Sequence, residues 1–222
     1  MIIVLDAGHG GKDPGASGNG ILEKDITLKL ALKTGEYLKK NYKCSVIYTR
    51  TNDVFLSLSE RAKIANVAKA DYFCSFHVNS FNKSSRGFET FRFPGTKGKT
   101  AELQKNVHDA VMNFLKQYNI RDRGMKQENF AVLRETAMPA VLTETLFLSN
   151  PAEAKLLKSD VFLNKAAEAH AIGLAKAAGL IKVSDSKKYF LLAGSFPNRE
   201  DAEEKAKLLQ KSYGWNVFVE ER

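Results

Sequence analysis

The sequence predicts an α/β fold: a single domain with a largely parallel twisted sheet covered by helices, plus a small C-terminal βαβ half-unit. Two observations carry this. Over the first 180 residues, short apolar runs bounded by glycine, proline or charge alternate with longer stretches of helical periodicity, the pattern of successive βαβ units. The 222-residue chain is also long enough to bury one sizeable core and carry a small appended unit. Residues 1–6 contain the run Ile2-Ile3-Val4-Leu5, halted at Asp6 and a glycine cluster, and read as a buried strand. Gly8 to Gly20 holds six glycines and Pro14, so it forms a loop. A helix follows from about Asp25, with Ile26, Leu28, Leu30, Ala31, Leu32 and Leu38 apolar and Lys39 and Lys40 in its last turn. Residues 45–48 form a second strand, 59–68 a helix capped by Ser59, and 72–76 a third strand. Residues 88–93 form a fourth strand, closed by Pro94-Gly95. A long helix over 99–118 places Leu103, Val107, Val111, Phe114 and Leu115 on one stripe. Residues 131–133 and 140–143 read as further short strands. Asn150-Pro151 opens a helix, because proline suits the first helical position, and another over 161–178 ends at Gly179.

Composition narrows the function classes. At 44% hydrophobic and 27% charged the chain is ordinary globular protein, which excludes disordered and fibrous classes. No apolar run approaches the roughly 18 residues of a membrane span, so neither membrane insertion nor a signal peptide is expected in this chain. Cys44 and Cys74 are too few for a disulfide framework and read as free thiols. The net charge of +9 is uneven: residues 1–180 hold 26 basic and 18 acidic side chains, residues 181–222 hold 8 and 7. A basic surface suits nucleic acid, an anionic membrane or another anionic polymer, and does not choose among them. No nucleic-acid recognition motif or aromatic–basic interleaving accompanies it, so no nucleic-acid partner is expected.

Four residues stand at strand ends or just ahead of a helix: His9 after the first strand, Glu23 before the first helix, His77 ending the third strand, and Glu144 ending the last. Functional groups of open α/β sheets collect at the carboxyl ends of the strands, so these four can converge there. Two histidines and a carboxylate make a catalytic zinc set with a fourth position for water, although other first-row ions also accept it. A second carboxylate beside that water is what metal-assisted hydrolysis needs as general base. The same residues also read as satisfied polar groups at strand ends. His108 and His170 lie beside apolar helix positions with no partner pattern, and are expected to be surface or boundary histidines.

The residues resemble the zinc-dependent N-acetylmuramoyl-L-alanine amidases of bacterial cell-wall lysis, over residues 1–179. The motifs are Val4-Leu5-Asp6-Ala7-Gly8-His9-Gly10-Gly11, Asp13-Pro14-Gly15-Ala16, Glu23-Lys24-Asp25 and Leu58-Ser59-Glu60-Arg61. They continue with Ser75-Phe76-His77-Val78-Asn79, Arg86-Gly87-Phe88-Glu89-Thr90, Val132-Leu133-Arg134 and Met138-Pro139-Ala140-Val141-Leu142-Thr143-Glu144, running into Phe147-Leu148-Ser149-Asn150. The resemblance implies one Zn2+ per chain held by His9, Glu23 and His77, with Glu144 catalytic. It implies peptidoglycan as substrate, cut between N-acetylmuramic acid and the stem L-alanine. Alternatives are a zinc peptidase of the stem peptide and a non-catalytic wall-binding module. Leu146 stands where the family usually has glycine, so the loop after Glu144 is expected to differ. Some related amidases carry a plugging helix after the strand equivalent to 88–93; here only residues 94–98 precede the next helix, which implies an open site. Asp6 either orients a ligand imidazole or caps the glycine loop. Ser75 and Asn79 are expected to brace the loop of His77, Glu89 to sit on a solvated face, and Cys74 to lie in the core.

Residues 181–187 read as a polar linker, and 188–222 as a strand, the helix 199–213 and a strand over 216–219. This tail resembles half of a SPOR-type peptidoglycan-binding domain, and its unpaired strand edge predicts self-association. The wall is then the site of action. The chain fits a mature fragment, a phage endolysin, or a sporulation enzyme made in the mother cell, and the tail favours the last. Peptidoglycan carboxylates and teichoic acid supply the anionic polymer that the +9 charge calls for.

Overall fold

Six strands form one sheet in the computed structural model. They are β1 (Ile2–Ala7), β4 (Ser45–Tyr48), β5 (Tyr72–Asn79), β6 (Phe88–Arg92), β7 (Asp122–Gln127) and β8 (Ala140–Phe147), in the order β4-β1-β5-β8-β6-β7. Every neighbouring pair is parallel except β6–β8. A two-stranded ribbon, β2 (Ser17–Gly18) with β3 (Ile21–Leu22), lies within the glycine loop. The structure describes residues 1–183, 194–214, 217 and 219. It divides into two units, 1–184 and 185–222.

Both sheet faces are covered, which is why its central strands read as apolar runs rather than as alternation. One face packs Ile3, Leu5, Cys74, Phe76 and Val141 against α1 (Glu23–Asn41), α3 (Lys99–Leu115) and α6 (Asp160–Ala177). The other packs Val4, Phe73 and Leu142 against α2 (Leu58–Val67) and the single turn α4 (Ala131–Arg134). Side chains alternate across a strand, so Cys74 sits in the first core while Ser75 and His77 belong to the second face. Both cysteines are free thiols. Among the described residues no helix is long and apolar enough to cross a membrane.

Several local expectations need correction. Residues 131–133 are helical, not extended; three apolar residues are too few to show a period, and Val132 and Leu133 bury themselves as α4. β7 carries Asp-Arg-Gly-Met-Lys-Gln, an edge strand with no apolar alternation, and the sequence reading passes over it. The cap of α2 is Ser57 rather than Ser59: its hydroxyl accepts from Glu60 N while the Glu60 carboxylate accepts from Ser57 N, a capping box. The long helix ends at Leu115 and tightens into a 3-10 turn over Lys116–Tyr118. Asn150 caps α5 (Pro151–Leu157), with Pro151 in its first turn as expected. Only residues 93–98 connect β6 to α3, so no plugging helix stands there.

At the end of unit 1, Ile181 O accepts from Lys43 N and Val183 N donates to Asn41 O, tying residues 181–183 to the end of α1. In unit 2, α7 (Arg199–Tyr213) is capped by Asn198, ends at left-handed Gly214, and half-buries Ala202, Ala206 and Leu209 on one stripe. The strand expected at 189–193 lies outside the described residues, as do 184–187 and half of 216–219.

Candidate metal centre and active site

The loop between β1 and α1 is held by two buried arginines. Arg50 donates to Ala7 O and Gly8 O at 3.0 and 2.9 Å, and Arg61 donates to Ala7 O and to His9 O at 2.5 and 2.7 Å. Asp6 balances Arg61 at 2.9 Å and accepts from Thr49 Oγ1 and Ser75 Oγ. Asp6 therefore takes neither role expected of it, and Ser75 serves this buried cluster rather than the loop of His77. The clamp bends the chain hard enough that His9 is left-handed, with φ 61°. It also explains two glycines: a Cβ on Gly8 would lie 2.4 Å from the His77 ring, and one on Gly15 would lie 2.7 Å from Glu23 Oε2.

That packing draws three donors together. Glu23 Oε1 lies 3.1 Å from His9 Nε2 and 3.0 Å from His77 Nδ1, and one ligand atom from each residue falls within 4.8 Å of the others. Glu23 is fixed by Val78 N at 3.1 Å and Ala16 N at 2.9 Å. His9 Nδ1 faces Asp13 Oδ2 at 2.8 Å, the outer-shell carboxylate that orients a ligand imidazole. Asp13 opens the motif Asp13-Pro14-Gly15-Ala16, and its spacing of four residues from His9 is the only sequence signal of this role. Burial pushes Glu23 upward, but the hydrogen bonds from His77 and His9 outweigh it and hold the carboxyl far below the usual range. Burial lowers the His9 pKa, yet Glu23 and Asp13 together raise it above its ordinary value. Two imidazoles and one anionic carboxylate, converging and braced, fit a divalent ion of the zinc type.

Glu144 stands beside this trio, in register with His77 on β5 and Glu89 on β6. Its Oε2 is buried and has no hydrogen-bond partner among the described residues. Burial, then the charges of Glu23 and Glu89, raise its pKa well above the ordinary carboxyl value.

Comparison with known proteins agrees with this geometry. A family model described as N-acetylmuramoyl-L-alanine amidase (Amidase_3) matches residues 3–176. The chain belongs to that family. It is 48% identical to an endolysin of Bacillus phage SPP1, over 90% of this chain and 71% of that protein. It is 41% identical to the sporulation-specific N-acetylmuramoyl-L-alanine amidase of Bacillus subtilis (strain 168), over 90% of this chain and 77% of that one. The solved catalytic domain of CwlV, an N-acetylmuramoyl-L-alanine amidase of Bacillus (Paenibacillus) polymyxa var. colistinus, superposes with TM-score 0.75 at 38% identity. That match covers 81% of this chain and 99% of that one. Family enzymes hydrolyse an amide bond of peptidoglycan, and so does this amidase.

Two further features of the amidase shape the surroundings of Glu144. Between His77–Glu144 and Asn79–Phe147 the register shifts, leaving one extra residue in β8. Leu146 absorbs it at φ 66°, fully buried in the main core. The turn after Glu144 thus takes, with leucine in it, the left-handed conformation that glycine favours. The shift keeps Glu144 and Phe147 on one face, and Glu153 of α5 fixes it by accepting from Phe147 N at 2.7 Å and Gly87 N at 2.9 Å. Burial drives the Glu153 carboxyl up to about 7 against those two donors.

Glu89 is buried rather than solvated. It accepts from Asn79 Nδ2 at 2.5 Å, Arg123 Nε at 3.1 Å and Lys126 Nζ. Burial pushes its carboxyl up, but Lys126 and Arg123 prevail and hold it below the ordinary value. The remaining histidines are core, not surface. His108 bridges Thr90 Oγ1 and Asp122 Oδ1 at 3.1 and 3.0 Å, and His170 Nδ1 donates to Ala166 O at 2.8 Å. Both pack on Phe88, remote from the donor trio in chain and face.

Proposed function

We propose that the chain is a zinc-dependent N-acetylmuramoyl-L-alanine amidase in which His9, Glu23 and His77 hold one ion and Glu144 is the catalytic acid–base. The observation that carries this is the convergence of two imidazoles and a carboxylate within 4.8 Å beside an unpartnered, buried carboxylate oxygen. Zinc in such a site polarises the scissile carbonyl and lowers the pKa of water toward ~7. Glu144 accepts a proton from the attacking water and delivers it to the alanine nitrogen, while hydroxide oxygen joins the lactyl carbonyl carbon and the C–N bond breaks. The second transfer is needed because an amide nitrogen leaves only once protonated. Asp13 keeps the His9 ring oriented, and Arg50 and Arg61 keep the loop bent.

The setting is wall lysis, with mother-cell lysis in sporulation supported by the SPOR-like tail and by the sporulation-specific relative. Digestion of purified peptidoglycan should release stem peptides with N-terminal L-alanine and leave free lactyl carboxylates. Fragments cut within the stem would support a peptidase instead. Glu144→Ala should keep bound zinc and lose at least about a hundredfold in kcat, whereas His9→Ala should lose both. Equal zinc loss in the two variants, by metal analysis, would overturn these roles.

A further inference from the structure

We propose that Arg123 and Lys126 form the subsite for the carboxylates of the stem peptide, and thereby fix the direction in which the substrate crosses the sheet. The proposal rests on the amidase reading above. Along the functional face the order runs His9 after β1, His77 on β5, Glu144 on β8, Glu89 on β6, then Arg123 and Lys126 on β7. β7 carries its own register shift: Phe88 pairs with Asp122 but Thr90 with Met125, and Gly124 takes φ 85°. That extra residue turns Arg123 toward Glu89, on the face of Glu144.

The two cations are more than Glu89 needs. Both cations converge on one buried carboxylate, 5% exposed, while the arginine is 27% and the lysine 41% exposed, so both reach the rim. Arg123 uses only Nε on Glu89; its two terminal nitrogens make no hydrogen bond among the described residues. Its guanidinium lies over the Phe147 ring at 4.8 Å, which helps to hold it in place. A planar, immobilised, half-exposed fork is suited to a carboxylate taken in two parallel hydrogen bonds.

Chemistry supplies the direction. Glu144 must reach the departing nitrogen, so the peptide leaves on the Glu144 side of His77, toward β6 and β7. The glycan then extends the opposite way, past β1, where Val54, Phe55 and Leu58 are exposed. Because Arg123 Nε reaches back to Glu89 on β6, its fork stands about one strand spacing, roughly 5 Å, from the Glu144 strand, the reach of one or two peptide residues. A carboxylate on the residue that follows the stem alanine falls in that range.

The test uses two muramoyl-peptides identical except that the acidic group on the residue after the alanine is a carboxylate in one and a carboxamide in the other. The wild-type chain should prefer the carboxylate, and Arg123→Gln should reduce the kcat/KM ratio between the two substrates by about tenfold or more, chiefly through KM. Lys126→Gln should reduce it less, its charge being the more exposed. Arg123→Gln leaves Glu89 short of a partner, so the double variant Glu89→Gln/Arg123→Gln serves as the folding control and should show the same lost preference. A wild-type enzyme indifferent to the carboxylate, or an equal loss on both substrates, would reduce Arg123 to a partner of Glu89 and overturn the subsite. If neither substrate yields an alanine-terminated peptide with the wild-type chain, the amidase reading falls and the subsite with it.

Discussion

Leu146 shows how one residue can defy a local rule while the geometry survives. A left-handed conformation costs a non-glycine residue about 1 kcal/mol, yet here the side chain is fully buried and its packing offsets the strain. Cutting it back to alanine should cost about 2–5 kcal/mol. Glycine would lose the same packing but relieve the strain, roughly cancelling its larger unfolded-state entropy. Leu146→Gly and Leu146→Ala should therefore unfold at the same urea concentration within error; a glycine variant weaker by 1 kcal/mol or more would show that the position is not left-handed. His170 makes a second residue-scale prediction. Burial lowers its pKa from 6.5 to about 4, so between those values the unfolded chain binds the proton and the folded chain does not. Its contribution is fully present above pH 6.5 and is lost as pH falls toward 4, by up to about 3 kcal/mol. Urea midpoints at pH 7 and 4.5 should therefore differ less in His170→Leu than in the parent, and an equal difference would refute a neutral buried imidazole. Neither burial was legible beforehand: a histidine on a helix beside apolar positions has the same pattern at the boundary as in the core.

At the scale of elements, what could be read and what could not divide on physical lines. The buried parallel strands were legible because both their faces are apolar, and the boundaries of α5 and α7 because Asn150-Pro151 and Asn198 to Gly214 carry their own stop and start chemistry. β7 was not legible, since an edge strand with polar residues on both faces gives no period, and α4 was too short to give one. His9, Glu23, His77 and Glu144 could be picked out because strand ends and glycine clusters mark where an open α/β sheet does chemistry. Their supports were hidden. Arg50, Arg61 and Glu89 act through partners up to 55 residues away, a separation at which sequence carries no spacing rule, whereas Asp13 lies only four residues from His9. The supports are what make the donors a site: without the arginine clamp, Ala7 O and His9 O would lose these donors, Gly8 O would keep only Thr27 Oγ1, and His9 would have no reason to stay left-handed.

For the whole molecule, the remaining question is where the charge of +9 acts. Residues 181–222, with 8 basic and 7 acidic side chains, are nearly neutral, so the excess belongs to the unit that holds the donor trio. None of it is internal: Arg50 and Arg61 are buried and spent on carbonyls and Asp6, but the buried carboxylates Asp6, Glu23, Glu89 and Glu153 outnumber them. The excess is outward, and Arg123 and Lys126 bring it to the edge of the catalytic face. A field of this kind raises the local concentration of an anionic polymer and is screened beyond about 8 Å at physiological salt. Adsorption of the full chain to purified wall material should weaken severalfold between about 50 and 300 mM salt, and weaken further when teichoic acid has been stripped from the wall. If binding to intact and stripped wall is equally strong at both salt levels, the charge serves solubility alone and attachment rests on uncharged contacts.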